Sequence, residues 1–482
     1  MSNALGATTT SAGPTVFVVY GATGDLAKRL VMPGFAALAA ADLLPEKWVL
    51  IGSGRKAQPD DSYRDHVRKG LQEFARGKNG VDDDVIESIM PGLRFAGGGF
   101  TADDPGELLD AIAAAKQEVG DDAQVVHYLA LPPSTFQGYT EAIAAHGLAE
   151  GSRVVYEKPY GTSPESFEEL DQLVQSVFDE QQVFRIDHFL GKEATQQLHV
   201  LRFANRMIEQ LWSNEHVAQV QIDVPEVLGV DDRATFYDET GATLDMLVTH
   251  LLQVAAEVAL DPPSDWTSDA LAQARENVLA KFRPLDPTEV VLGQGTGYQE
   301  IKDVREGSTT DTFVAAKVWV DTPRWEGVPF VLRTGKKLAE SHQHVTLVFK
   351  RPLNSPQHDD DAVPETLTFI LSGNGSVEAG VTARRPGVSD DLVPGKLYLD
   401  LAALPNAEPL PPYAALLRDV LIGDRALFTT SAGLRDAWRV ACPLLAERPE
   451  LLPYEPGSWG PEAAEEIAAP FGWLTERGQS RS

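Results

Sequence analysis

The sequence predicts an α/β domain on a doubly wound parallel sheet, followed by an α+β domain on a large, mainly antiparallel sheet. Three observations carry this. The chain has 482 residues, more than one hydrophobic core ordinarily serves, so two domains are expected. Over roughly the first 185 residues, short β-branched or aromatic runs alternate with helical stretches, the pattern of parallel strands joined by crossover helices. Beyond them come long runs of alternating character, VAQVQIDVPEV, TFVAAKVWV, HVTLVFKR and ETLTFILSG, which read as half-buried antiparallel strands mixed with a few helices.

The elements follow in order. Residues 1–14 are mostly small, with neither a basic start nor an apolar block, so they read as a disordered tail and not a secretory signal. TVFVVY, residues 15–20, is a buried strand. A glycine-rich turn leads into the helical LAKRLVMPGFAALAAADLL, and WVLIGSG is the second strand. A long helical and loop region runs to Gly99, and ELLDAIAAAKQEVG is a helix stopped by glycine. AQVVHYLALPP is a strand that breaks at Pro132 and Pro133, FQGYTEAIAAHGLA a helix, and RVVYEKP another strand. SPESFEELDQLVQSVFDEQ opens with a serine cap and acidic first turns, as a helix start should. The polar, proline-rich residues 352–364 are expected in a surface loop.

Composition narrows the function classes. Asp and Glu number 71 against 41 Lys and Arg, a net charge of −30 that repels nucleic acid and anionic membranes. It also repels phosphate at long range, so any phosphate site must be a local basic pocket. The single cysteine, Cys442, permits no intrachain disulfide and fits a reducing, cytoplasmic setting. Its context, VACPLL, reads as a small buried hydrophobe. The longest apolar stretch, residues 30–44, is interrupted by Pro33, Gly34 and Asp42 and is too short to cross a bilayer.

Four stretches carry candidate chemistry. GATGDLAKRL, residues 21–30, follows a strand and opens a helix; Gly21 and Gly24 let the backbone approach a pyrophosphate at a helix N-terminus, although an ordinary glycine-rich turn has the same look. GSGRK ends the next strand, and Arg55 there suits a ribose 2′-phosphate, or is a solvated surface side chain. In FRIDHFLGKEATQQLHVLRFANR, His188 and Lys192 stand four apart and can share a helix face around a phosphate, with neighbouring Asp187 left for another partner; a charged loop is the plain alternative. In FYDETGATLDMLVTHLLQVAAEVAL, Asp245 and His250 sit on a helical pattern, where His250 is a core histidine or a catalytic base. The ten histidines show no metal-ligand spacing, so no metal is expected.

Together these stretches resemble the glucose-6-phosphate dehydrogenase family. YLALPP, EKPYG, RIDHFLGKE, RFANR, GSTTDTF, GVPFVLRTGKKL and LRDAWRV all look like it, over nearly the whole chain. The resemblance implies a Rossmann-like domain over residues 15–185 and a substrate-binding and oligomerisation domain over 186–482. It implies NADP as cofactor, with NAD a weaker alternative, and a homodimer or homotetramer. The cofactor would lie against Gly21, Ala22, Thr23, Gly24, Asp25, Leu26, Ala27, Arg55, Tyr128 and Lys158. His250 would be the general base, with Asp187 fixing its tautomer. His188 and Lys192 would hold the sugar phosphate, Glu226 and Asp245 would accept from sugar hydroxyls, and Lys158 and Lys336 would reach into the site. A cis Lys158–Pro159 bond is expected.

The departures from the family pattern bear on substrate affinity. Phe189 replaces a usual tyrosine, Leu244 a usual arginine, Val248 and Thr249 a Gln-Asn pair, and Ser341 a usual basic residue. SGNGSVEAG stands in place of a QPDE-like segment. A raised KM for glucose 6-phosphate is therefore expected. A related sugar dehydrogenase of different preference, or a catalytically silent regulatory paralogue, are the competing readings.

Overall fold

The computed structural model describes residues 12–230, 233–352, 363–388 and 391–474. The expectations for residues 1–11 of the tail and for most of the proline-rich loop, 353–362, lie outside the described residues. The chain divides into two units. The first comprises residues 1–191, 263–273 and 410–435, and the second 192–262, 274–409 and 436–482. A single boundary near 185 is thus replaced by one after Gly191 and by two later returns to the first unit.

In the first unit, six strands lie parallel: β1 (Thr15–Tyr20), β2 (Trp48–Ser53), β3 (Leu93–Ala96), β4 (Gln124–Leu129), β5 (Arg153–Tyr156) and β6 (Val183–Ile186). Their order is β3-β2-β1-β4-β5-β6, and a two-residue strand, Phe428–Thr429, adds antiparallel to β6. All six β1 side chains are buried, as expected of a central strand covered on both faces. Both β3 (LRFA) and β6 (VFRI) were missed in the sequence because an arginine interrupts each four-residue run. In β6, Arg185 is buried by pairing with Asp171 at 3.0 Å and Glu180 at 2.8 Å. Helix Pro164–Val177 starts as read, with the Ser163 hydroxyl accepting from the Ser166 N–H. Helix Pro412–Ile422 closes the core, its Leu416, Leu417 and Val420 joining Met32, Phe35 and Leu38.

The second unit carries a nine-stranded sheet. Its strands are β7 (Val217–Pro225), β8 (Val290–Gly295), β9 (Phe313–Val318), β10 (Phe330–Gly335), β11 (His344–Phe349), β12 (Thr366–Ile370), β13 (Ser376–Arg384), β14 (Leu392–Asp400) and Leu451–Tyr454. Their order is β14-β13-β12-β11-β7-β10-β9-β8 and then Leu451–Tyr454, antiparallel except for β7 with β10 and β8 with Leu451–Tyr454. One stretch among the described residues, Ala234–Ala259, is long and apolar enough to cross a membrane, and 89% of its most apolar window is buried within the protein. Cys442 is exposed, against expectation. On helix Ser431–Ala446 the buried positions Ala437, Ala441 and Leu444 form a stripe at helical spacing, and Cys442 falls one residue off it.

Candidate active site

In the first unit, the glycine-rich turn leaves the C-terminal end of β1, beside β4, where the strand order reverses. That is the topological switch point at which doubly wound sheets bind ligands. Gly21 has φ 73°, and a Cβ there would stand 2.5 Å from the Ala130 carbonyl oxygen, so only glycine lets the turn lie this close to β4. The Gly24 N–H closes the turn onto the Gly21 carbonyl at 2.8 Å. Ala22 and Ala27 face inward, Thr23 and Asp25 are exposed, Leu26 is half-buried, and a π-helical turn, Ala27–Val31, continues the helix. The turn fits a dinucleotide: a bare backbone at the switch point, entering a helix. Arg55 is exposed just past β2, near enough to Tyr139 to oppose the burial that raises that phenol's pKa.

Tyr128 lies at the C-terminal end of β4, beside the glycine-rich turn. Its side chain is fully buried and its phenol donates to Glu157 at 2.5 Å. Glu157, which the sequence reading passed over, also accepts from Tyr413 at 3.4 Å. Burial pushes its carboxyl pKa up, while the two phenols and the Lys158 charge oppose that rise. The Lys158–Pro159 peptide is cis, as expected. After β6, the buried Asp187 accepts from the Phe189 N–H at 2.9 Å and closes a tight turn through Leu190. His188 is half-buried with its ring 5.0 Å from that of Phe189.

In the second unit, Lys192 is the extended residue before helix Glu193–Ala204. His188 lies in the turn ahead of that helix, so the expected shared helix face does not exist; the helix starts too late. The Lys192 ammonium donates to the Gln343 side-chain oxygen at 2.7 Å. Glu226 pairs with Lys336, and the main chain ties Glu226 to Gly335 and Leu338 at 2.9 Å each. The Lys336 ammonium also stands 5.6 Å from the Tyr237 ring centroid. Burial first, and then the charges of Asp245 and Asp311, push the Tyr237 phenol pKa well up. The Glu226–Lys336 pair thus reaches Tyr237, whose phenol also feels the Asp245 charge; sequence reasoning missed this residue because an apolar helix pattern hides it. Ser341 accepts the Val227 N–H at 2.8 Å next to this group.

Asp245 and the buried His250 lie in a π-helical run, Thr243–Leu251, between helices Ala234–Ala242 and Leu252–Ala259. A π-helix bonds residues five apart, the separation of Asp245 and His250, whereas α-helical periodicity sends them to different faces. The Thr249 hydroxyl donates to the Leu244 carbonyl at 2.6 Å across that spacing. Carboxylates beside a lysine suit a polyhydroxylated, anionic ligand, and a buried imidazole suits proton transfer.

Comparison with known proteins accords with this geometry. A family model described as glucose-6-phosphate dehydrogenase, NAD binding domain, matches residues 18–197, and the corresponding C-terminal domain model matches residues 199–473. A Mycobacterium tuberculosis protein named glucose-6-phosphate 1-dehydrogenase 2 is 34% identical, covering 95% of this chain and 93% of its own. A Chlamydia muridarum glucose-6-phosphate 1-dehydrogenase is 30% identical, covering 96% and 97%. The crystal structure of the Mycobacterium avium glucose-6-phosphate 1-dehydrogenase superposes with a TM-score of 0.85 at 31% identity, over 96% of this chain and 98% of that one. A glucose-6-phosphate dehydrogenase in complex with glucose 6-phosphate gives 0.88 at 27% identity, over 97% and 99%.

Proposed function

The chain belongs to the glucose-6-phosphate dehydrogenase family, and we propose that it oxidises glucose 6-phosphate at C1 to the 6-phosphogluconolactone with NADP+ as hydride acceptor. The protein is an oxidoreductase. What carries the reading is that the two family matches run almost end to end while Asp187, His188, Lys192 and His250 all stand in their motifs. A bound nicotinamide supplies the site that accepts hydride from the sugar.

The chain's own residues do the rest. His250 takes the proton of the C1 hydroxyl on one ring nitrogen. Asp187 accepts from the other, fixes the tautomer and stabilises the imidazolium. His188 and Lys192 hold the 6-phosphate. Glu226 and Asp245 accept from ring hydroxyls; the pairing of Glu226 with Lys336 beside Tyr237, and the Asp245 charge acting on that phenol, support this. Lys158 reaches between sugar and cofactor. The glycine turn from Gly21 to Ala27 receives the pyrophosphate, and Arg55 receives a 2′-phosphate, which favours NADP over NAD. This chemistry asks for no metal ion.

Steady-state rates on a panel of phosphorylated and free sugars test the proposal. Glucose 6-phosphate is the expected best substrate, and His250→Asn is expected to lower kcat on the order of 1,000-fold. Free glucose as the best substrate refutes the phosphate roles; absence of turnover in the wild type favours a silent paralogue. Phe189 and Leu244, which remove a phenol and a guanidinium, favour a raised KM for the sugar phosphate. A homodimer or homotetramer is supported by exposed Met207, Leu397 and Tyr398 around a groove of about 1020 Å³ on the second unit, and light scattering checks it. The single cysteine favours a cytoplasmic setting.

A further inference from the structure

The run Thr243–Leu251, which carries Asp245 and His250, starts at a break. Gly241 stands at φ 61°, ψ −179°, so the preceding helix does not continue into it. A new helical start leaves backbone N–H groups without intrahelical acceptors. The residue in the cap position is Ala242, whose side chain accepts nothing.

The acceptor comes instead from the loop before β9. Asp311, buried to 1% exposure, accepts the Thr243 N–H at 2.7 Å and the Thr243 hydroxyl at 2.8 Å on one carboxylate oxygen. Its own carbonyl accepts the Ala242 N–H at 2.8 Å. Its other carboxylate oxygen pairs with the guanidinium of Arg448, a side chain 44% exposed that reaches in from the surface. Gly241 lies against the same carboxylate, where a Cβ would come within 2.7 Å. Three consecutive residues at the break are therefore referred to one residue: Gly241 and Thr243 to the Asp311 carboxylate, and Ala242 to its main-chain carbonyl. Asp245 and His250 follow two and seven residues after Thr243, so a shift or rotation of the helix start moves both.

We propose that Asp311 is a positioning residue for the reaction, fixing where the helix that presents Asp245 and His250 begins, with Arg448 holding the carboxylate in place. The proposal rests on the assignment of His250 and Asp245 given above. Asp311 touches neither sugar nor cofactor in this scheme. It acts through Thr243, and its loss changes the aim of two groups that serve different steps, sugar binding and proton transfer.

The test uses the full-length enzyme and compares wild type with Asp311→Ala, Asp311→Asn, Thr243→Val and His250→Asn. For each, kcat, the KM for glucose 6-phosphate, the affinity for NADP+ and the thermal midpoint are measured. Asp311→Ala is expected to lower kcat on the order of 100-fold, as a displacement near 1 Å does, and to raise the sugar KM as well. Affinity for NADP+ should hold. Asp311→Asn keeps the shape and one oxygen acceptor, so it is expected to restore most of kcat. Folded Asp311→Ala with wild-type kcat and KM overturns the proposal, as does Asp311→Asn as impaired as the alanine variant. Should Asp311→Ala fail to fold, Thr243→Val reads the same contact: about a tenfold loss of kcat supports the proposal and unchanged kinetics overturn it. Wild-type turnover in His250→Asn refutes the base assignment instead, and the Asp311 proposal then stands or falls on the sugar KM alone.

Discussion

The Tyr128 phenol donates to the Glu157 carboxylate at 2.5 Å, inside the protein and one residue before Lys158. Removing that donor leaves a buried acceptor short of a partner. Tyr128→Phe is expected to destabilise the protein by about 1.5–3 kcal/mol, read by urea denaturation. The pH dependence has a definite sign. Burial raises the Glu157 pKa, so the native state keeps a proton that the unfolded chain has already lost. Stability therefore falls as pH rises from the unfolded value through the folded one. The Tyr128 bond works against that rise, so Tyr128→Phe should enlarge the fall and carry it to higher pH.

Acid should weaken the protein through two buried histidines. Burial lowers the pKa of His127 to about 4 and of His344 to about 4, from 6.5. The His127 ring lies between the Tyr20 hydroxyl at 3.0 Å and the Leu148 carbonyl at 3.1 Å. The His344 ring stacks on His342 at 4.4 Å, and the charges of His342 and Lys396 lower its pKa further against the opposing pull of Asp223. Between these values the unfolded chain binds protons that the native state refuses. Stability is present above the unfolded pKa and is lost as pH falls toward the folded one, on the order of 3 kcal/mol for each ring. Thermal midpoints recorded from neutral pH downward should drop across this window, and His344→Phe should flatten the drop.

Cofactor choice should depend on Arg55. Arg55→Ala is expected to raise the KM for NADP+ by roughly 10- to 100-fold, the loss of one charge-assisted hydrogen bond, and to leave the KM for NAD+ nearly unchanged. Parallel kinetics with the two cofactors decide this. Equal effects on both would assign Arg55 to the protein surface.

Phe189→Tyr should tighten binding of the sugar phosphate. The ring is only 2% exposed and lies beside His188, the residue proposed to hold the phosphate. The KM for glucose 6-phosphate is expected to fall about tenfold, with no change for unphosphorylated sugars. An unchanged KM would remove Phe189 from the phosphate site.

Legibility followed how local each signal was. Strands β1, β2, β4, β5, β7, β9, β11 and β12 announce themselves by β-branched or aromatic runs. Strand β14, LVPGKLYLD, carries Pro394 and Gly395 and was passed over, yet a sheet edge tolerates both because its outer side needs no ladder bonds. The glycine turn was legible because it depends on adjacent residues. The Tyr128–Glu157 bond and the part played by Asp311 were not, since each rests on a partner distant in sequence: Glu157 lies 29 residues from Tyr128, and Asp311 lies 68 from Thr243. The π winding was hidden for another reason. Apolar periodicity over residues 234–259 satisfies an α-helix well enough, and nothing in the residue types declares a wider turn.

The return of residues 410–435 to the first unit has a consequence for biosynthesis. A nascent chain emerging as far as Gly191 has its six parallel strands but lacks the helix Pro412–Ile422 that covers Met32, Phe35 and Leu38, and lacks the Phe428–Thr429 strand that pairs with β6. More than two hundred further residues must leave the ribosome before those partners arrive. Until then, oily surface and an open strand edge face the solvent, the conditions under which chaperones engage and fragments aggregate. Expressing the amino-terminal half alone should for the same reason yield inclusion bodies, whereas supplying residues 410–435 on a short tether after Gly191 should make it soluble.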